Sequence, residues 1–236
     1  MKYSVVIPLK NEEGNIVELI DELEPVMHAL NLPWELICID DGSTDETSAI
    51  LTDLSKIKPY LRTISFDRNY GQSSAFDAGF KHAKGEWLIS LDGDRQNDPA
   101  DIPKLIAAAA ESDLVCGHRV NRRDPWHKKI TSRLANFIRS RLCRDEVHDT
   151  GCSLKIYRTS CVRQIKMFHG MHRFLPALFK IEGFRVSEVA VNHRERVKGK
   201  TKYNFFNRSF NTIADLLAVR WMWKRRLVYR IHKELP

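Results

Sequence analysis

Apolar residues recur along the first half of this chain with two alternating periods. Short unbroken runs, Tyr3 to Ile7, Leu36 to Ile39, Leu61 to Phe66, Glu86 to Leu91 and Leu114 to Cys116, have the length and content of buried strands. Between them the spacing changes to steps of three and four, clearest from Glu13 to Leu30, where Ile16, Leu19, Ile20, Leu23, Val26 and Met27 would share one helix face. Further helices are predicted after Ser43 or Thr44, either of which can cap a helix running through Leu54, and over Ser73 to Ala83 and Ala100 to Glu111. Strand and helix units in regular succession predict an α/β fold. Its sheet should be mainly parallel, covered on both faces and joined by right-handed crossovers.

The rhythm breaks after Gly117. A basic stretch, GHRVNRRDPWHKK, is read as a loop, followed by a helix from Ile130 to Leu142, a turn at Asp149-Thr150-Gly151, a strand Leu154 to Tyr157, a helix around Arg173 to Ile181 and a strand Arg185 to Val191. Arg194 to Lys202 is polar, charged and glycine-bearing, which predicts a mobile surface loop able to serve as a lid over an anionic substrate. From Asn204 onward Phe206, Phe210, Ile213, Leu217 and Trp221 form a helical apolar stripe, and the segment RWMWKRRLVYR interleaves aromatic with basic residues. Such a helix can lie flat on an anionic membrane or pack on the body or a partner subunit, the last making a homodimer possible.

Composition narrows the classes. At 236 residues with 43% hydrophobic and 29% charged residues, the chain is expected to form one sizeable globular domain with a small appendage. Its net charge of +8 is uneven, because residues 194–236 hold 12 Lys/Arg against 3 Asp/Glu. A near-neutral body with a basic end favours phosphate ligands or anionic lipid over a nucleic-acid groove. Five cysteines without a C-x-x-C pair argue against a disulfide framework and fit a reducing, cytosolic setting. Neither a signal peptide nor a membrane-crossing run is expected.

The string Leu91-Asp92-Gly93-Asp94-Arg95-Gln96 carries the sharpest chemical signal. It follows a predicted strand, at the edge where open α/β sheets bind ligands. Asp92, Asp94 and Gln96 are hard oxygen donors at alternate positions, suited to Mg²⁺ or Mn²⁺ bridging to a diphosphate, although a solvated turn would use the same residues. Asn11 and Glu12 follow the first strand and Asp40 and Asp41 the second, so three polar clusters gather at one sheet edge. The Asp40-Asp41-Gly42-Ser43-Thr44-Asp45 run reads either as a turn with a helix cap or as a carboxylate that accepts a hydrogen bond from a nucleobase or ribose. The histidines show no metal-binding spacing, and only His148, beside Asp149, stands near a candidate group.

The segments SVVIPLKNEEGNI, ICIDDGSTDET and LISLDGDRQNDP, followed by HDTGCSLKIY and GMHRFLPALFKIEGFRVSEVAVNHRERVKGKTKY, resemble the family-two nucleotide-sugar glycosyltransferases. Within that family the polyprenyl- and dolichol-phosphate branch is the most similar. The resemblance implies a Rossmann-like GT-A catalytic domain over residues 1–203 and leaves residues 204–236 as an amphipathic basic tail. It implies nucleotide contacts at Pro8, Asn11 and Glu12, a base contact at Asp40 or Asp41, and a metal and diphosphate motif at Asp92, Asp94 and Gln96. Arg119 falls at the active-site wall, Asp149 near the acceptor, and Arg196 and Lys202 in a loop that closes on phosphates. Many members carry membrane helices after this domain, and none is expected from this sequence.

The expected activity is therefore metal-dependent, inverting transfer of a sugar from a UDP- or GDP-sugar to a polyprenyl phosphate by an enzyme peripheral to the cytoplasmic membrane face. A phosphate acceptor is already ionised near neutral pH and needs little help from a base, so Asp149 would orient it. A saccharide hydroxyl is the alternative acceptor, and would make Asp149 the base. A non-catalytic membrane-associated binding module is a further alternative. Uracil or guanine as the donor base, and the sugar itself, are left open.

Overall fold

The computed structural model describes residues 1–120, 139–195, 205–229 and 232–233. Seven strands form one sheet in the order β3-β2-β1-β4-β6-β5-β7. They are β1 (Tyr3–Leu9), β2 (Trp34–Asp40), β3 (Leu61–Ser65), β4 (Trp87–Ser90), β5 (Leu114–Arg119), β6 (Lys155–Arg158) and β7 (Val186–Val191). All are parallel except β6, which runs antiparallel to both neighbours, β4 and β5. The expected mainly parallel α/β sheet is thus present, with one inserted strand. The register sets Leu9 beside Asp40 and Val6 beside Ser90, which brings the ends of β1, β2 and β4 to one edge.

Alternation along the strands divides the core in two. Val5, Ile7, Leu36, Cys38, Ile89 and Val115 face α1 (Ile16–Ala29), α2 (Thr47–Ile57) and α4 (Ile102–Ala108), which contribute Leu19, Leu23, Leu51 and Leu105. Val6, Ile37, Ile39, Leu88 and Cys116 face the other way, toward α3 (Gln72–His82), the short α5 (Thr159–Val162) and α6 (Leu175–Ile181), where Phe76, Phe80, Leu178 and Phe179 fill the layer. At roughly 25 cal/mol per Å² of apolar surface, these two layers supply most of the driving force for folding.

Two local expectations need correction. Neither Ser43 nor Thr44 caps α2, which begins only at Thr47. The Ser43 Oγ instead accepts the Asn11 N–H at 3.0 Å, and the Asn11 side-chain oxygen accepts the Thr44 N–H at 2.8 Å, so both residues tie the β2 turn to the β1 turn. The tail helix α7 (Phe205–Arg225) is present, but the described part of the apolar stripe read from its sequence, Ile213, Leu217 and Trp221, is not the face that meets the body. Leu216, Val219, Met222 and Trp223 pack on the α6 layer, whereas Ile213, Leu217 and Trp221 are 59%, 58% and 62% exposed. Most of the predicted helix Ile130 to Leu142, much of the basic stretch before it and most of the predicted lid lie outside the described residues.

Candidate active site at the carboxyl edge of the sheet

The turns after β1, β2 and β4, with the start of α3, enclose a cleft of about 480 Å³. Its lining includes Pro8, Lys10, Glu12, Asp41, Gln72, Asp92 and Asp94 together with His169, His172 and Arg173. Expected nucleotide and metal residues from three separate strand ends therefore share one cavity. The sheet builds this place because parallel strands deliver their following loops to the same edge.

Asp92 and Asp94 stand together at the end of β4. Asp92 accepts a hydrogen bond from Gln72 Nε2 at 2.8 Å, and the Asp94 carboxylate accepts the Gln96 N–H at 3.1 Å. Burial, and then the neighbouring Asp94 charge, push the Asp92 carboxyl up to about 6. Two crowded carboxylates of this kind suit a divalent cation, whose charge would relieve both. Among the described residues no third histidine, cysteine or acid completes a protein-only metal cage with them. Mg²⁺ and Mn²⁺ commonly take their remaining ligands from substrate phosphates and water, so this donor set fits such an ion. The Gln96 backbone carbonyl accepts the Arg194 N–H at 3.0 Å, and Gln96 is not among the residues lining the cleft. Arg194 also donates to Asp98 at 2.8 Å and, like Arg95, pairs with Glu22 on α1, fastening the loop after β4 to the segment after β7.

The other acids of this edge are used by the protein. Asp40 accepts the Ser43 N–H at 2.9 Å and does not line the cleft. Asp41 lines it and accepts two backbone N–H groups, from Tyr70 at 2.6 Å and Gly71 at 2.9 Å, which holds the entry to α3 in place. Between Asp41 and Ser43, Gly42 lies at φ +64°, and a Cβ there would sit 2.4 Å from the Arg68 carbonyl carbon. Only glycine allows this close approach of the β2 and β3 turns. Asn11 braces the β2 turn, and Glu12 accepts the Asn15 side-chain amide at 2.8 Å.

Arg119 and Asp149, expected separately at the wall and near the acceptor, form one bidentate ion pair. Arg119 Nε donates to Asp149 Oδ2 at 2.6 Å and Nη2 to Oδ1 at 2.9 Å, with both side chains largely buried. Burial lowers the Arg119 pKa, but its bonds to Asp149 outweigh that and raise it overall. His148 pairs with Glu188 at 2.7 Å, outside the cleft. Arg196 and Lys202 lie outside the described residues.

Several cleft residues were not anticipated from the sequence, among them Lys10, Gln72, Ser73, His169, His172 and Arg173. His169, His172 and Arg173 reach the cavity through the turn before α6. His172 Nδ1 meets Ser73 Oγ at 2.6 Å, and Ser73 Oγ accepts the Gly170 N–H at 3.0 Å, joining this turn to α3 across almost 100 positions. Asp215 of α7 abuts the same turn, since a Cβ at Gly170, where φ is +84°, would lie 2.3 Å from its Oδ2. One cleft thus holds the Asp92–Asp94 pair and the basic side chains of Lys10, His169, His172 and Arg173. An anion with charge at both ends, one end bridged by a cation and the other met by Arg and His, would be complementary to such a cleft.

A family model described as Glycosyl transferase family 2 matches residues 4–166. The chain is 39% identical to a dodecaprenyl-phosphate galacturonate synthase from Rhizobium johnstonii, over 95% of this chain and 68% of that protein. Its fold resembles a glucosyl-3-phosphoglycerate synthase from Mycobacterium tuberculosis crystallised with Mn²⁺, UDP and phosphoglyceric acid, at a TM-score of 0.71, 19% identity and coverage of 93% and 78% of the two chains. It also resembles a mannosyltransferase from Pyrobaculum calidifontis in complex with GDP-Man and Mn²⁺, at a TM-score of 0.67, 17% identity and coverage of 97% and 65%.

Proposed function

This chain belongs to glycosyl transferase family 2 and has the GT-A fold, and on that premise we propose that it transfers a sugar from a nucleotide-sugar to a polyprenyl phosphate, with inversion at the anomeric carbon. The observation that carries this reading is that one cleft brings Asp92 and Asp94 together with His169, His172 and Arg173. Asp41, Pro8 and Glu12 line the nucleotide end. Asp92 and Asp94 would hold Mg²⁺ or Mn²⁺ against the diphosphate. A bound ion supplies charge stabilisation for the departing nucleoside diphosphate. Arg173 and the two histidines receive the acceptor phosphate and aim one of its oxygens at the anomeric carbon, opposite the leaving group. Attack from that face inverts the centre, and no residue of the chain needs to form a covalent intermediate.

The Arg119–Asp149 pair favours phosphate over a hydroxyl as acceptor. Both Asp149 oxygens already accept from the guanidinium, so taking a proton would break a buried pair. A phosphate monoester, with a second pKa near ~6, asks for no such proton acceptor. Asp149 is then an orienting group that holds Arg119 in place.

No helix among the described residues is long and apolar enough to cross a membrane. The outer face of α7, with Ile213, Leu217 and Trp221 exposed beside Arg220 and Lys224, supports attachment to an anionic lipid surface. All five cysteines are free and buried, as suits a reducing cytoplasmic face. The reading is tested by offering radiolabelled UDP- and GDP-sugars with Mg²⁺ or Mn²⁺ to a polyprenyl phosphate and to a saccharide. A mild-acid-labile lipid product supports it, and label entering only the saccharide overturns the acceptor assignment. Co-sedimentation with vesicles containing phosphatidylglycerol tests the tail, since the L217E/W221E double variant should release the folded protein from them.

A further inference from the structure

Lys155 opens β6, the single antiparallel strand, and is only 4% exposed. A buried ammonium is costly, and such groups are normally matched by a carboxylate. Its hydrogen-bond partners here are two backbone carbonyls, Cys152 and Thr150, the latter at 3.4 Å. These flank Gly151 in the turn whose first residue, Asp149, grips Arg119. Strand register explains where the charge lies: Lys155 sits opposite Ser90 on β4 and Cys116 on β5, on the sheet face that continues from Ser90 to Asp92 two residues later. The ammonium thus lies close enough to the end of β4 for its field to act on Asp92.

We propose that Lys155 is a positioning residue for glycosyl transfer, clamping the Asp149 turn from below while its charge offsets the Asp92–Asp94 pair. This rests on the metal-dependent reading given above. The carbonyl bonds hold the turn from which Asp149 grips Arg119. The charge keeps two adjacent carboxylates tolerable before a cation and a donor arrive, and weakens the hold on the cation once it is there. Metal affinity is set below its maximum in return for a turn that is already in place.

The experiment is titration with Mn²⁺ alone, followed by electron paramagnetic resonance, on the full chain and on K155Q, K155M and K155R, with thermal melts as the folding control. Gln keeps donors for the turn but removes the charge, Met removes both, and Arg keeps both. The expected result is Mn²⁺ binding tighter by roughly three- to tenfold in K155Q, wild-type affinity in K155R, and a fall in kcat larger for K155M than for K155Q. A role confined to packing would leave Mn²⁺ affinity unchanged or weaken it, so either result in a folded K155Q overturns the inference. Should K155Q fail to fold, K155M is judged by the same criterion. Failure of the wild-type chain itself to bind Mn²⁺ overturns the metal reading and this inference with it, whereas binding that is indifferent to the charge at 155 overturns the inference alone.

Discussion

The ends of β2 and β4 carry the same residue type at the same edge of the sheet and put it to opposite uses. At β2, Asp40 and Asp41 together accept backbone N–H groups from Ser43, Tyr70 and Gly71, so their charge is spent on holding turns. At β4, Asp92 and Asp94 crowd one another, and the Asp92 carboxyl is pushed up to about 6 by burial and by that neighbour. An acid that satisfies backbone donors stabilises the fold. An acid pair that raises its own free energy is stabilised when a cation arrives to neutralise it. On the proposed function, the β2 acids act mainly by holding the turns of the cleft and the β4 acids by binding a cation.

The largest expected effect follows directly. D92N should lower kcat/KM by roughly a thousandfold, the scale of losing an electrostatic stabiliser of the transition state, while the melting temperature holds or rises because the repulsion with Asp94 is gone. A melting temperature that falls as far as activity does would break the comparison, because Asp92 would then be structural like its β2 counterparts.

Next in size is the ion pair beyond β5. D149N removes one partner of a largely buried bidentate pair and should destabilise by about 3 kcal/mol in urea unfolding, with kcat falling as Arg119 loses its hold. If Asp149 were instead the base for a hydroxyl acceptor, the variant would lose nearly all turnover and the pH–rate profile would lose its acid limb. D41N comes third. Its amide nitrogen cannot accept the N–H that one carboxylate oxygen now takes, so a cost of about 2 kcal/mol is expected, with a rise in donor KM as the entry to α3 loosens. Loss of turnover without loss of stability in D41N would move the β2 end into the chemical class.

The fold was legible because its signals are local and repeated. β1 to β4 and the helices between them lie within a few residues of the periodic reading, and the acids at their ends share an edge by topology alone. What escaped depends on contacts distant in sequence. Nothing near Ser43 shows that its hydroxyl serves the Asn11 N–H 32 positions earlier, and nothing near His172 or Arg173 shows that Ser73 holds their turn against the cleft. Arg119 and Asp149 were each placed near the chemistry, but their mutual pairing leaves no trace in spacing. The tail teaches the same lesson differently. Both faces of α7 carry apolar residues, so the period identifies the helix without saying which face meets the body, and Asp215 against Gly170 settles the rotation.

The smallest expected effect tests the comparison from the other side of the sheet. Glu35, near the start of β2, is buried like the acids at the far edge. Burial raises its pKa, but hydrogen bonds from Ser4 at 2.7 Å, Arg62 at 2.6 Å and the Lys84 N–H at 2.6 Å outweigh that and hold it below the usual carboxylate range. The sign follows from proton counting. With a folded pKa below the unfolded one, the unfolded chain binds the extra proton, so this stabilisation is present above the ordinary value of 4.5 and is lost as pH falls through the folded value. Asp92 works oppositely: with a folded pKa above its ordinary 3.8, it contributes stability at low pH that is lost as pH rises toward and through 6. In E35Q the amide oxygen can take the place of Oε1 and keep Ser4 and Lys84, so only the half-exposed Arg62 bond is lost, at about 1 kcal/mol near neutral pH. Its acid limb of stability below pH 4.5 should be flatter than in the wild-type chain, whereas D92N, with a chelator present, should lose the decline between about pH 4 and 6. Urea midpoints across pH 3 to 8 would measure both, and two variants changing slope in the same pH window would mean that the two acids do not play opposite parts.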